Sequence, residues 1–146
     1  MNMQKQILAI ETKAKLSTLW LLFLLNIIFR DIHEFIEPGF VQEIMTGTLN
    51  GNPIQEHMLL LGGIMLEIPI TMIFLSWVLP YRANRRANII VAAMYISIVV
   101  MVGTTDLDDS FHLVAEIAAL SLVIFSAVRW RNPSLKRNAF DAAVSS

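Results

Sequence analysis

Residues 58–79 read MLLLGGIMLEIPITMIFLSWVL, a run of 22 residues whose one charge, Glu67, sits near the middle. A helix needs about 20 apolar residues to cross a hydrocarbon layer about 30 Å thick. An acidic side chain at the centre of such a helix costs roughly 2.5–3.5 kcal/mol. Glu67 is therefore expected to face a helix bundle or a wet cavity. Similar windows fall at residues 16–36, 87–105 and 110–128, and the last holds a second isolated carboxylate, Glu116. Four such windows predict an all-α, polytopic membrane protein: one four-helix domain over residues 1–146.

Composition agrees. The chain of 146 residues is 55% hydrophobic and 16% charged, too apolar for an ordinary soluble domain of this length. No cysteine is present, which excludes disulfides, thiolate metal sites and CxxC redox chemistry. No basic tract suggests nucleic-acid binding. The first window is preceded by Lys5, Lys13 and Lys15 and resembles a signal peptide. It lacks a small-residue cleavage site after Phe29 and reads as an uncleaved anchor.

The net charge of −1 averages two segregated populations. Lys and Arg cluster before the first window, between the second and third (Arg82, Arg85, Arg86) and after the fourth (Arg129, Arg131, Lys136, Arg137). Arg30 alone falls in the first loop, which with the third holds Asp31, Glu34, Glu37, Glu43, Glu56, Asp106, Asp108 and Asp109. The positive-inside rule then places both termini in the cytoplasm. Anionic lipids are the expected partners of the basic loops. In the first outer loop, Phe40, Val41, Ile44 and Met45 recur at helical spacing between Pro38 and Gly47, predicting a short amphipathic helix that lies on the membrane or lids the bundle. Pro80 closes the second span, and the short connection predicts an antiparallel hairpin with the third. The tail 132–146, with Pro133, is expected to be a flexible cytoplasmic end.

At 1.5 Å per residue, Glu67 lies about 13 Å below Met58 and Glu116 about 8 Å below Phe111, both in the outer half. Asp108, His112 and Glu116 stack at i, i+4 and i+8, with Asp109 three residues before His112. Asp31, His33, Glu34 and Glu37 end the first span at similar depth and His57 marks the mouth of the second, so these side chains are expected to converge on one outward-opening polar pocket. Pro69 leaves the Met65 carbonyl without its helical donor and invites a kink. Gly62 and Gly63 permit close helix approach. Gly63, Glu67, Thr71 and Phe74 share a face, and Tyr95 is placed to bond the Glu67 carboxylate. The plainer reading makes Glu67 a protonated packing residue that ties helices together.

Carboxylates and imidazoles also suit hard or borderline divalent ions, with His112, Glu116 and Asp108 as the candidate ligands. The Glu-x-x-His pairs of di-iron bundles are absent. His33 and His57 read more simply as helix-end residues, and Asp106, Asp108 and Asp109 as a solvated turn that caps the fourth span. Trp20, Trp77, Tyr81 and Trp130 read as an interfacial aromatic belt. No cofactor is expected beyond such a metal. Hydrolase chemistry and phosphate loops have no sequence support.

The run 15–20 (KLSTLW) with Asn26 and Asp31-Ile32, the segment 66–70 (LEIPI), the stretch 79–85 (LPYRANR) with 87–90 (ANII), and the Glu116 span ending at Trp130 together resemble an uncharacterised family of small prokaryotic four-helix membrane proteins. A looser similarity is to DoxX-like proteins. The resemblance implies the architecture and a bacterial or archaeal plasma membrane; it carries no activity, and His112 is outside its pattern. Three readings follow. In the first, Glu67 and Glu116 line a cavity that binds or transports a small ligand, cation or protons, with a homo-oligomer expected. The second is a membrane enzyme using carboxylate acid/base chemistry on a lipid-soluble substrate, and the third a structural or regulatory subunit.

Overall fold

The computed structural model describes residues 3–49, 51–104 and 107–130. Five helices appear among them: α1 (Met3–Glu34), α2 (Phe40–Met45), α3 (Glu56–Val78), α4 (Tyr81–Val102) and α5 (Leu107–Arg129). All but α2 are long and apolar enough to cross a membrane, so this is a four-helix integral membrane protein. Asp106 and the tail 132–146 lie outside the described residues. With 32 residues, α1 starts well before the apolar window. At 1.5 Å per residue it measures about 48 Å, more than a bilayer core is thick.

The packing follows from helical stripes. On α1, Leu16, Trp20 and Phe23 are buried and Ile27 packs beside them. On α4 the buried stripe is Asn84, Asn88, Ala92, Tyr95 and Val99. On α5 it runs from His112 and Glu116 through Leu120 and Val123 to Ala127. These residues recur every three or four positions, as one face of an α-helix requires. Helix α1 packs on both α3 and α5, and α4 packs on α5. Although only Leu79 and Pro80 join them, α3 and α4 barely approach one another, so the expected hairpin partners are not close-packed. Polar side chains span the gap instead: Asn84 Nδ2 donates to the Ser76 carbonyl at 2.7 Å, and the Tyr95 hydroxyl donates to the Met65 carbonyl.

The bundle has a basic and an acidic end. Contacts at the basic end join the start of α1, the α3–α4 connection and the end of α5: Lys13 Nζ to the Trp77 carbonyl (2.7 Å), Tyr81 hydroxyl to the Trp130 carbonyl (2.8 Å), and Arg85 to the Val128 carbonyl (3.3 Å). Just inside, Trp20 Nε1 donates to Asn88 Oδ1 at 2.7 Å, and Asn88 Nδ2 donates to both the carbonyl and Oδ1 of Asn84. Trp20 is thus a fully buried polar anchor, and Trp130 is also buried; Trp77, partly exposed, fits the expected belt.

Beyond α1, the short helix α2 forms where the spacing predicts it, entered through Gly39 at φ 95° and followed by Gly47 at φ 77°. An unexpected two-strand hairpin follows, β1 (Thr48–Leu49) against β2 (Asn52–Pro53). Glu43 on α2 accepts a hydrogen bond from the Gly51 amide in its turn. Helix α2 packs on this hairpin and buries none of its own residues, so it is no lid pressed into the bundle.

Candidate functional site

The polar site of the acidic end lies between α1 and α5. Continuing the α1 stripe past Phe23 and Ile27 brings Arg30 inward, where its Nη1 lies 3.4 Å from Glu116 Oε1. Arg30 is 19% exposed and Glu116 0%. Among the described residues neither Glu116 oxygen accepts a hydrogen bond, and the ion pair with Arg30 is the polar contact they show. Asp31 and Asp109 also act on it electrostatically, and Asp31 is partly buried. A buried ion pair without supporting hydrogen bonds is energetically poor: desolvation offsets much of its attraction.

One turn further out, three ligand-type atoms converge. His33 Nδ1 is 3.2 Å from Asp108 Oδ2 and 3.3 Å from His112 Nε2, and His112 Nε2 is 3.9 Å from the same Asp108 oxygen. His112 is 5% exposed, and its Nδ1 has no hydrogen-bond partner among the described residues. His33 and Asp108 are about half exposed, leaving this cluster open on one side. Asp108 and Asp109 also occupy the first turn of α5, where negative charge favours the helix dipole. These side chains meet one another, and a shallow, largely apolar depression on the outer side is bordered by Leu107, Asp108, Ser110 and Phe111.

Of the residues singled out from sequence, His112 and Asp108 come together, with His33 as the third member; Glu116 pairs with Arg30 instead and is not one of the convergent ligands. Glu67 does not join them. The inward face of α3 is set by Pro69, Met72 and Ser76, with Met65 and Ile68 packed behind them. At about 100° per residue, position 67 is roughly 200° from both 65 and 69, on the opposite side. Gly63, Glu67, Thr71 and Phe74 share a face as expected, but that face is exposed. Gly62 and Gly63 have open space where a Cβ would stand, so no helix of the same chain uses them for close approach. Tyr95 bonds not to the Glu67 carboxylate but to the Met65 carbonyl that Pro69 leaves free, and α3 remains one continuous helix through Pro69. His57 is exposed at the start of α3 and is not one of the convergent ligands.

One participant is assigned elsewhere by sequence reasoning: Arg30 reads as a loop residue, because the uninterrupted apolar run stops at Phe29. His33 is expected at the depth of His112, but as a helix-end residue rather than a ligand. The signal for both is the spacing 16, 20, 23, 27, 30, 33, which carries the inward face of α1 past Phe29, where the uninterrupted apolar run ends. The Trp20–Asn88–Asn84 network was also missed as a network, since tryptophan near a span end and asparagines after a basic cluster suggest an interface.

Fold and site thus define a small four-helix membrane protein with a histidine–carboxylate cluster and a buried ion pair at its acidic end. Residues 6–137 match the family of unknown function DUF6326, and the chain belongs to that family. No curated protein and no solved structure matches it, and the looser likeness to DoxX-like proteins gains no support.

Proposed function

We propose that this protein binds a small cation, protons included, at its acidic end, with Glu116 as the buried counter-charge. The observation that carries the reading is the Glu116 carboxylate: wholly buried, without a hydrogen bond among the described residues, and balanced by Arg30 at 3.4 Å. A carboxylate kept for helix pairing alone would be expected to accept hydrogen bonds. One held against a single, partly exposed arginine can exchange that partner for an incoming cation. The segregation of charge favours a plasma membrane, bacterial or archaeal, with the basic end in the cytoplasm and the cation arriving from outside. The exposed carboxylate of Glu67 near the middle of α3 favours assembly with further copies, because lipid would not solvate its ionised form.

The test is the unfolding temperature of the detergent-purified protein across pH and a panel of monovalent and divalent cations. At least one cation should raise it by mass action, and Glu116→Gln should remove or reduce the shift while keeping the helical spectrum. An unfolding temperature indifferent to every cation and to pH would reject the reading.

A further inference from the structure

We propose that His33, Asp108 and His112 form a site for one divalent transition-metal ion of the zinc or nickel class, open on its exposed side to an exchangeable ligand. The inference rests on the reading of the acidic end as a cation site and names the ion. Its first support is distance. Ligand atoms about 2.1 Å from a tetrahedral ion stand about 3.4 Å from one another. The three separations here are 3.2, 3.3 and 3.9 Å, so one ion can reach all three atoms with small side-chain adjustments.

The second support is proton arithmetic. His33 Nδ1 faces both a carboxylate oxygen and an imidazole nitrogen. If Nδ1 carries a proton and donates it to Asp108, it has no lone pair left to accept from His112. If it is bare and accepts from His112, its lone pair faces the Asp108 oxygen. The neutral arrangement that serves both contacts shares one His33 Nδ1 proton between the Asp108 oxygen and a bare His112 Nε2; a cation at their centre would serve all three atoms at once. The third support is His112 itself, 5% exposed, whose Nε2 is the ring nitrogen that reaches both His33 and Asp108. Two imidazoles and one carboxylate, without thiolate, favour borderline divalent ions over calcium or magnesium, which prefer all-oxygen shells. Glu116 is not among the three ligands; it lies one turn further in, beside Arg30, as the neighbouring buried counter-charge.

The experiment is calorimetric titration of chelator-treated, full-length protein in detergent with zinc and with nickel, alongside cobalt as an optical probe. One ion per chain is expected. His33→Ala and His112→Ala should each weaken binding at least about tenfold, the low end of what even an outer-shell partner contributes. His57→Ala, which replaces the remaining histidine, should leave affinity unchanged. Since replacing buried His112 threatens the fold, the cobalt spectrum of the wild-type chain gives an independent reading, with mixed imidazole and carboxylate ligation expected. Wild-type affinity in both His33→Ala and His112→Ala would overturn the site. So would a protein that responds through Glu116 to protons or monovalent ions and takes up no transition metal; the broader cation reading would survive that result. Failure of every cation to bind would remove both.

Discussion

At the scale of single residues, the deciding contrast is between two glutamates that look alike in sequence. Glu116 falls on the buried stripe of α5 and meets Arg30; Glu67 falls opposite the buried stripe of α3 and is exposed. Removing one member of a buried ion pair costs about 3–5 kcal/mol, and Arg30's partial exposure puts Arg30→Met at the lower end. Replacing both, as Arg30→Met with Glu116→Leu, is expected to recover most of that loss, because no unpaired charge remains inside. Unfolding midpoints of the two singles and the double in detergent measure this; additive losses would show that the two side chains are not coupled. The fact of an intramembrane carboxylate was legible in the sequence at both positions. Its direction was not, because direction depends on which face each helix buries.

At the scale of elements, α3 shows how a proline is tolerated in the middle of a span. Pro69 withholds the donor that the Met65 carbonyl would have used, and the Tyr95 hydroxyl on α4 supplies another. Tyr95→Phe should therefore destabilise the protein by about 1–3 kcal/mol, the cost of a buried acceptor left unsatisfied. In a Pro69→Ala background the restored backbone N–H should make the same change cost less; an equal cost in both backgrounds would uncouple the two residues. At the basic end, Asn88→Leu strands both the Trp20 N–H and Asn84 Oδ1, with an expected loss of about 1–3 kcal/mol and a red-shifted, less ordered tryptophan emission. The sequence predicts the freed carbonyl and the presence of Tyr95 near it; it assigned the wrong acceptor because α3 is rotated so that Glu67 turns away.

For the whole molecule, charge segregation and exposed surface carry the predictions. The exposed face with Gly63, Glu67 and Thr71 is the one expected to meet a second copy. The chain has no cysteine, so a single introduced thiol is a clean probe. Thr71→Cys should cross-link between copies in native membranes, whereas Ser121→Cys, exposed on α5, should not. Equal cross-linking at both positions would remove the α3 face as the interface.

Hydrophobic periodicity, span length and the distribution of Lys and Arg were enough to determine a four-helix membrane bundle with one acidic and one basic end, because these depend on local composition and on the energy of placing side chains in lipid. What the tertiary structure decided is which side chains meet. The rotation of each helix is set by packing all buried stripes at once, and that common solution turns Arg30 and His33 toward Glu116, Asp108 and His112, and turns Glu67 away.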